Sequence, residues 1–375
     1  MDEPKKKVRY VEADVLTEAK RRINHIIDTF DKIFVCFSGG KDSLVVLNLV
    51  EEVHRERGIT DKINVIFRDE EVIPDDVIAF VQEKVRDPRY TFYYYAVQLA
   101  SEKFILGKTC QYVQWDINRK WLRPKPDFAI TDPLNRVFNQ HTMDAFIAEG
   151  HKGRLAFING IRTDESLVRY RSVVNKRNEC YIAASSVPNV KLCKPIYDWS
   201  QTDVFKYFHD RGIRYCSIYD MQLWNGQAFR VATPLHAESA KRFDQLRTLY
   251  PMFYQQLVEL FPEMLVQERY WNEFDRHAVI HRYPKGWNGI IQYIREEIDD
   301  PVSQKLAVKR VVDAKTFREN NIRLRGGDRN FGGYPILYVF KCIVAGQFER
   351  TIQPCKTPSA ADIEYESEAG HGALP

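Results

Sequence analysis

The sequence predicts an α/β fold, a doubly wound and mostly parallel sheet followed by a C-terminal helical accessory region. Three observations predict it. Apolar runs of strand composition alternate with helix-compatible stretches up to about residue 230, a glycine-rich turn joins the first such run to a helix, and beyond 230 only helical periodicity remains.

Leu16, Ala19, Ile23, Ile26, Ile27 and Phe30 recur at helical spacing and predict an amphipathic helix against the sheet. Ile33-Phe34-Val35-Cys36-Phe37 then reads as a buried strand, broken by Ser38-Gly39-Gly40-Lys41-Asp42-Ser43. Two adjacent glycines let the backbone turn sharply and bring its amides close to an anion with no Cβ in the way. The apolar stretch 44–50 continues as a helix, so its unpaired N–H groups and positive dipole end face the same turn. Lys41 adds a mobile full charge.

Ile63-Asn64-Val65-Ile66-Phe67 reads as a second strand, ended by Arg68 and the acidic cluster Asp69-Glu70-Glu71. Residues 75–84 suit a crossover helix and 90–97 a third strand, an order that argues for right-handed parallel crossovers. Periodicity weakens over 98–150, where Trp115, Trp121, Pro124, Pro126 and Pro133 punctuate an irregular insert suited to covering a substrate. Strands at 154–158 and 190–196 complete the sheet, and Ser200 with Asp203 caps a helix running to about 211. Ala240, Phe243, Leu246 and Tyr250, then Phe253, Leu257, Leu260 and Phe261, mark later helices. The expected domains are 1–230, with the insert, 231–351, mainly helical, and a Pro-, Ser-, Ala- and Gly-rich flexible tail over 352–375.

A chain of 375 residues with 44% apolar composition can furnish one large α/β core and an accessory region. No stretch approaches the ~20 apolar residues that cross a bilayer, and no apolar signal core follows the first residues, so no membrane association and a cytoplasmic location are expected. The basic run 4–9 reads as a solvated terminus. A net charge of +4 does not demand a polyanionic partner, but 305–329 carries eight basic and three acidic residues. That stripe is a candidate nucleic-acid contact, although a solvated helix face explains the same pattern. Seven scattered cysteines without a C-x-x-C pair exclude the usual spacing of a disulfide framework, a zinc site or an iron–sulfur cluster.

The second informative motif is Gly160-Ile161-Arg162-Thr163-Asp164-Glu165, followed by Arg169, at the end of a predicted strand. Ligands in open α/β sheets bind at the carboxyl ends of strands, where the 38–43 turn also lies. Arg162 and Arg169 suit a phosphate or sulfate because a guanidinium donates two hydrogen bonds and keeps its charge. Asp164 or Glu165 could hold Mg²⁺ or orient the arginines.

Ser38 to Ser43 lacks the Walker A spacing and instead resembles the PP-loop of the ATP pyrophosphatase superfamily, of adenine nucleotide alpha hydrolase-like fold. With the Gly160 motif and Pro195-Ile196-Tyr197-Asp198-Trp199-Ser200, the chain is similar over about residues 16–225 to the branch holding phosphoadenosine-phosphosulfate reductases and the small subunit of ATP sulfurylase. That resemblance implies that Ser38, Gly39, Gly40, Lys41, Asp42 and Ser43 bind the pyrophosphate of ATP, and that Arg162, Asp164, Glu165 and Arg169 lie on the substrate side. It implies adenylyl transfer with release of pyrophosphate, Lys41, Arg162 and Arg169 being catalytic and Asp42, Asp164 and Glu165 candidate Mg²⁺ ligands.

Departures separate the branches. Reductases carry a nucleophilic cysteine in E-C-G-x-H near the C-terminus, whereas Glu368-Ala369-Gly370-His371 has alanine there, leaving Cys355 as the runner-up nucleophile for a sulfonucleotide reductase. Thr163 replaces the second arginine of the sulfurylase motif, and Asp69-Glu70-Glu71 stands where relatives carry an Asp-Thr-Gly-like sequence. The extent and C-terminal helices look like the immunoglobulin-binding-regulator A group, which implies a ParB-like protein partner. A nucleotide-sensing or nucleic-acid-associated regulatory module is the reading from another class.

Overall fold

The computed structural model describes residues 12–173, 180–226, 231, 233–271, 277–325 and 330–369. Two compact units divide between Arg269 and Tyr270.

The first unit opens with α1 (Val15–Thr29), β1 (Lys32–Cys36), α2 (Lys41–Arg57), β2 (Ile63–Arg68), α3 (Asp75–Val85) and β3 (Tyr90–Tyr95). An antiparallel hairpin, β4 (Leu99–Ile105) and β5 (Lys108–Gln114), is followed by α4 (Gln140–Ala148), β6 (Leu155–Asn159), α5 (Leu167–Arg171), β7 (Ile182–Ala184), β8 (Val190–Cys193) and α6 (Gln201–Arg211). Then come α7 (Ile218–Trp224), α8 (Ala237–Ala240), α9 (Phe243–Leu249), α10 (Pro251–Leu260) and α11 (Met264–Tyr270).

Six strands lie in the order β3-β2-β1-β6-β8-β7, parallel except for β7, which pairs antiparallel with β8 at the edge. The order runs one way from β1 to β3 and the other way from β6 outward, so the switch point falls between β1 and β6. There Val35 faces Ile158 and Cys36 faces Asn159 in register. Neighbouring residues point to opposite faces. Val35 and Ile158 pack into a core with α1, α2, α3 and α6, while Phe34 and Phe157 pack with Met143 and Ile147 of α4 on the other side. Burial on both faces is why these strands read as continuous apolar runs.

Three expectations from the sequence are corrected. The insert 98–150 is not irregular throughout: β4 and β5 pair from Leu99 with Gln114 to Ile105 with Lys108 across a two-residue turn in which Leu106 and Gly107 both have positive φ. Asn-Gly or Asp-Gly is the usual signal of that turn, and Leu-Gly hides it. The helices after 230 begin inside the first unit because this hairpin gives them an edge: the Phe104 amide donates to the Leu235 carbonyl at 2.8 Å, and Gln267 bridges the Leu106 amide and the Ala240 carbonyl at 2.7 and 3.1 Å.

The second unit contains α12 (Trp287–Glu297), α13 (Pro301–Arg325), α14 (Ile336–Val344) and α15 (Ala360–Glu368) around Ile290, Ile294, Val311, Val339 and Phe340. The expected flexible tail contains α15 itself. Ser359 and Asp362 form a reciprocal capping box, Ile352 and Tyr365 are buried, and Glu366 takes a two-pronged ion pair from Arg318 at 2.6 and 2.9 Å. Composition averaged over 352–375 concealed these few anchors, and residues 370–375 lie outside the described ones. Among the described residues no helix is long and apolar enough to cross a membrane.

Candidate active site

A cavity of about 780 Å³ opens at the switch point. Its walls include Ser38, Gly40, Lys41, Asp42 and Ser43 after β1, Arg68 at the end of β2 with Glu70 beyond it, and Asn159 at the end of β6 with Gly160, Arg162, Asp164, Glu165 and Arg169 beyond it. The two motifs far apart in sequence therefore share one cleft, Gly39 alone of the named loop residues not lining it.

Local geometry explains the glycines. Gly39 has φ +75°, and a Cβ there would sit 2.8 Å from Val77 Cγ1 on α3. Gly160 needs no unusual dihedral but lies against the first turn of α2, where a Cβ would come within 2.5 Å of the Asp42 carbonyl carbon and 2.6 Å of the Ser43 amide nitrogen. Ser43 braces the loop, its Oγ donating to the Gly40 carbonyl at 2.9 Å and accepting from the Ser38 amide at 3.1 Å. Two of the loop amides already have partners: the Gly40 amide donates to Ser38 Oγ at 3.3 Å and the Lys41 amide to the Tyr219 hydroxyl at 2.8 Å. Both acceptors are hydroxyl oxygens, groups that a phosphate oxygen can replace. The amides of Gly39, Asp42 and Ser43 make no hydrogen bond within the described residues.

Charge in the cleft is arranged as a chain. Lys41 and Arg162 are 3% and 2% exposed. One Asp42 oxygen accepts from Lys41 Nζ at 2.8 Å and the other from Arg162 Nε at 2.6 Å, while Arg162 Nη1 donates to both Asp164 oxygens at 2.6 and 2.7 Å. Burial, opposed by Asp42, holds the Lys41 ammonium below its usual range. Glu165 accepts from the Arg162 amide at 3.2 Å and pairs with Arg169. Asp42, Asp164 and Glu165, assigned from the sequence to Mg²⁺, are thus all held by cations, and among the described residues no group of three or more His, Cys, Asp or Glu is placed to hold a metal. In this arrangement the three carboxylates serve ion pairs.

The acidic run after β2 divides its labour. Asp69 accepts both prongs of Arg123 at 2.9 and 2.6 Å and the Tyr94 hydroxyl at 2.5 Å. Glu71, fully buried, accepts both prongs of Arg119 at 2.8 and 2.6 Å and the amides of Trp115 and Leu122. These two carboxylates pin segment 115–123 to the strand ends. Glu71→Gln is expected to cost roughly 3–5 kcal/mol, because it leaves the Arg119 charge without its anion. Urea unfolding of the full chain measures this, and an unchanged midpoint would show that Arg119 finds water instead.

Sequence reasoning missed Arg68, Asn159, Gln201 and Tyr219 as cleft residues and named Glu70 only as part of the acidic run after the second strand. Tyr219 carries no local signal, since it reaches the loop from 178 positions away. Asp198, in the motif from Pro195 to Ser200, takes a two-pronged ion pair from Arg22, both contacts 2.7 Å. Cys355 lies in the second unit, its thiol donating to the Thr357 carbonyl at 3.1 Å. Within 305–329, Arg310 bonds the Phe348 and Glu349 carbonyls and Arg318 pairs with Glu366, so both serve the second unit's own fold. Lys305, Lys309 and Arg323 are exposed, and 326–329 lie outside the described residues.

The family model of the phosphoadenosine phosphosulfate reductase domain matches residues 32–250. The uncharacterized protein YbdN of Escherichia coli (strain K12) is 31% identical over 211 residues, covering 52% of each chain, so this chain spans about half the length of that curated relative. Candida glabrata FMN adenylyltransferase is 13% identical with a TM-score of 0.38 over 55% of this chain and 57% of that one. Phosphoadenylyl-sulfate reductase from Candida auris is 13% identical, TM-score 0.32, over 60% of this chain and 97% of its own. Scores this low carry no argument about activity.

Proposed function

The chain belongs to the phosphoadenosine phosphosulfate reductase domain family, and on that premise we propose that it binds ATP in the switch-point cleft and transfers the adenylyl group to an acceptor. The acceptor's nucleophilic atom bonds to the α-phosphorus, the bond from that phosphorus to the β-phosphate's bridging oxygen breaks, and pyrophosphate leaves with the electron pair. One observation carries the reading: the glycine turn with its open Asp42 and Ser43 amides and Lys41 meets Arg162 from the neighbouring strand end in one cavity.

Negative charge builds on the departing pyrophosphate, and these donors are preorganised to meet it. Lys41 and Arg162 exchange their carboxylate partners for phosphate oxygens, while Arg169 at the cleft wall faces the acceptor side. Magnesium arrives on the nucleotide as part of the substrate rather than on a site built by the protein. An ATP-dependent reaction of this kind belongs in the cytoplasm. The sulfonucleotide reductase reading gains no support from the cleft's own cysteine, because burial pushes the Cys36 thiol up to about 12 and keeps it protonated.

ATP labelled separately at the α- and γ-phosphates tests the reading. The α label is expected in AMP or an adenylylated product and the γ label in pyrophosphate. Recovery of the γ label as inorganic phosphate beside ADP would overturn it.

A further inference from the structure

Glu70 is the member of the acidic run that the protein leaves unused. Glu71 has φ +60°, a left-handed conformation uncommon for glutamate. That turn sends its carboxylate inward to Arg119, while Glu70 lines the cleft beside Cys36, Arg68 and Asn159. The other carboxylates on the cleft wall, Asp42, Asp164 and Glu165, are each held by a cation. Among the described residues no donor hydrogen-bonds the Glu70 carboxylate.

The groups around it are few. Arg68 attracts its charge but is itself paired with Asp144, Asp69 repels it, and Tyr112 on β5 stays a neutral phenol because burial raises its titration. Burial first and Asp69 second push the Glu70 carboxyl up to about 7. A carboxylate in that condition gains from taking a proton.

We propose that Glu70 accepts the proton of a neutral O–H or N–H acceptor as it attacks the α-phosphorus, so that the acceptor is a hydroxyl- or amine-bearing compound and not sulfate. The inference rests on the adenylyl-transfer reading above. The balance is complete: the acceptor's lone pair forms the bond to phosphorus, pyrophosphate departs with the electrons of the broken bond, and the acceptor's proton moves to a Glu70 carboxylate oxygen. Sulfate has no proton to give at neutral pH and meets a like charge at this wall. Because the base works ionised, the rate rises as pH passes about 7 and levels above it.

The test compares the wild-type chain with Glu70→Gln, supplying ATP with hydroxylamine or glycerol as neutral probes and with sulfate. Wild type is expected to release pyrophosphate with a neutral probe and not with sulfate. Glu70→Gln is expected to lower kcat by about 100-fold, leave the KM for ATP unchanged and flatten the pH profile. A variant that matches wild-type kcat and pH profile, or a wild type that responds to sulfate as well as to the neutral probes, overturns the proposal while sparing adenylyl transfer. Absence of pyrophosphate with every acceptor sinks adenylyl transfer itself, a separate result. Independently of turnover, the ¹³C carboxyl resonance missing from Glu70→Gln is expected to titrate near neutrality, and titration in the ordinary glutamate range overturns the proposal.

Discussion

Lys41→Ala is expected to abolish pyrophosphate release while the fold persists. The lysine stands at the first position of α2 with its ammonium 2.8 Å from Asp42, inside the cleft wall. Removing one preorganised donor to a developing oxyanion typically costs about 100- to 1000-fold in kcat. The helix should survive, because Asp42 keeps its bond to Arg162 and Ser43 still braces the loop. A pyrophosphate-coupled assay beside far-UV circular dichroism and urea unfolding separates the two effects. Unchanged turnover in a folded variant would remove the central claim about this turn.

Gly160→Ala should be as damaging through geometry alone. Its added methyl would meet backbone atoms of Asp42 and Ser43 at 2.5–2.6 Å, and backbone cannot rotate away as a side chain can. Either β6 or the first turn of α2 must shift, at a stability cost of roughly 1–3 kcal/mol. Either movement separates Arg162 from Asp42 and the open amides from the arginine side. Titration calorimetry with a non-hydrolysable ATP analogue should show binding lost or sharply weakened. Wild-type affinity would mean that the two strand ends tolerate more space than their packing indicates.

Much of this arrangement was readable before any coordinates. The strand, glycine pair, lysine and helix of 33–50 are contiguous, so one local pattern predicts both conformation and position. The Gly160 motif is legible for the same reason, and topology then joins the two. What escaped depends on partners distant in sequence. Asp69, Glu70 and Glu71 look equivalent as text, and only the positive φ at Glu71 and the guanidinium groups of Arg119 and Arg123 decide which one is left facing the cavity. Asp42 and Asp164 have the chemistry of metal ligands, yet folding places Arg162 between them. The hairpin of β4 and β5 was hidden by a turn sequence that glycine statistics do not favour, and α15 by a composition dominated by its surroundings.

The alternating row Lys41, Asp42, Arg162, Asp164 has a consequence for discrimination among small solutes. Two positive and two negative groups largely cancel, so a passing chloride gains little from this row. A lone oxyanion must evict a carboxylate that already satisfies its neighbour, and it brings too few oxygens to make good every bond it breaks. A linked chain of phosphates can relieve both cations at once and reach the helix amides in the same step. Cancellation at rest thus favours long polyanions over short ones.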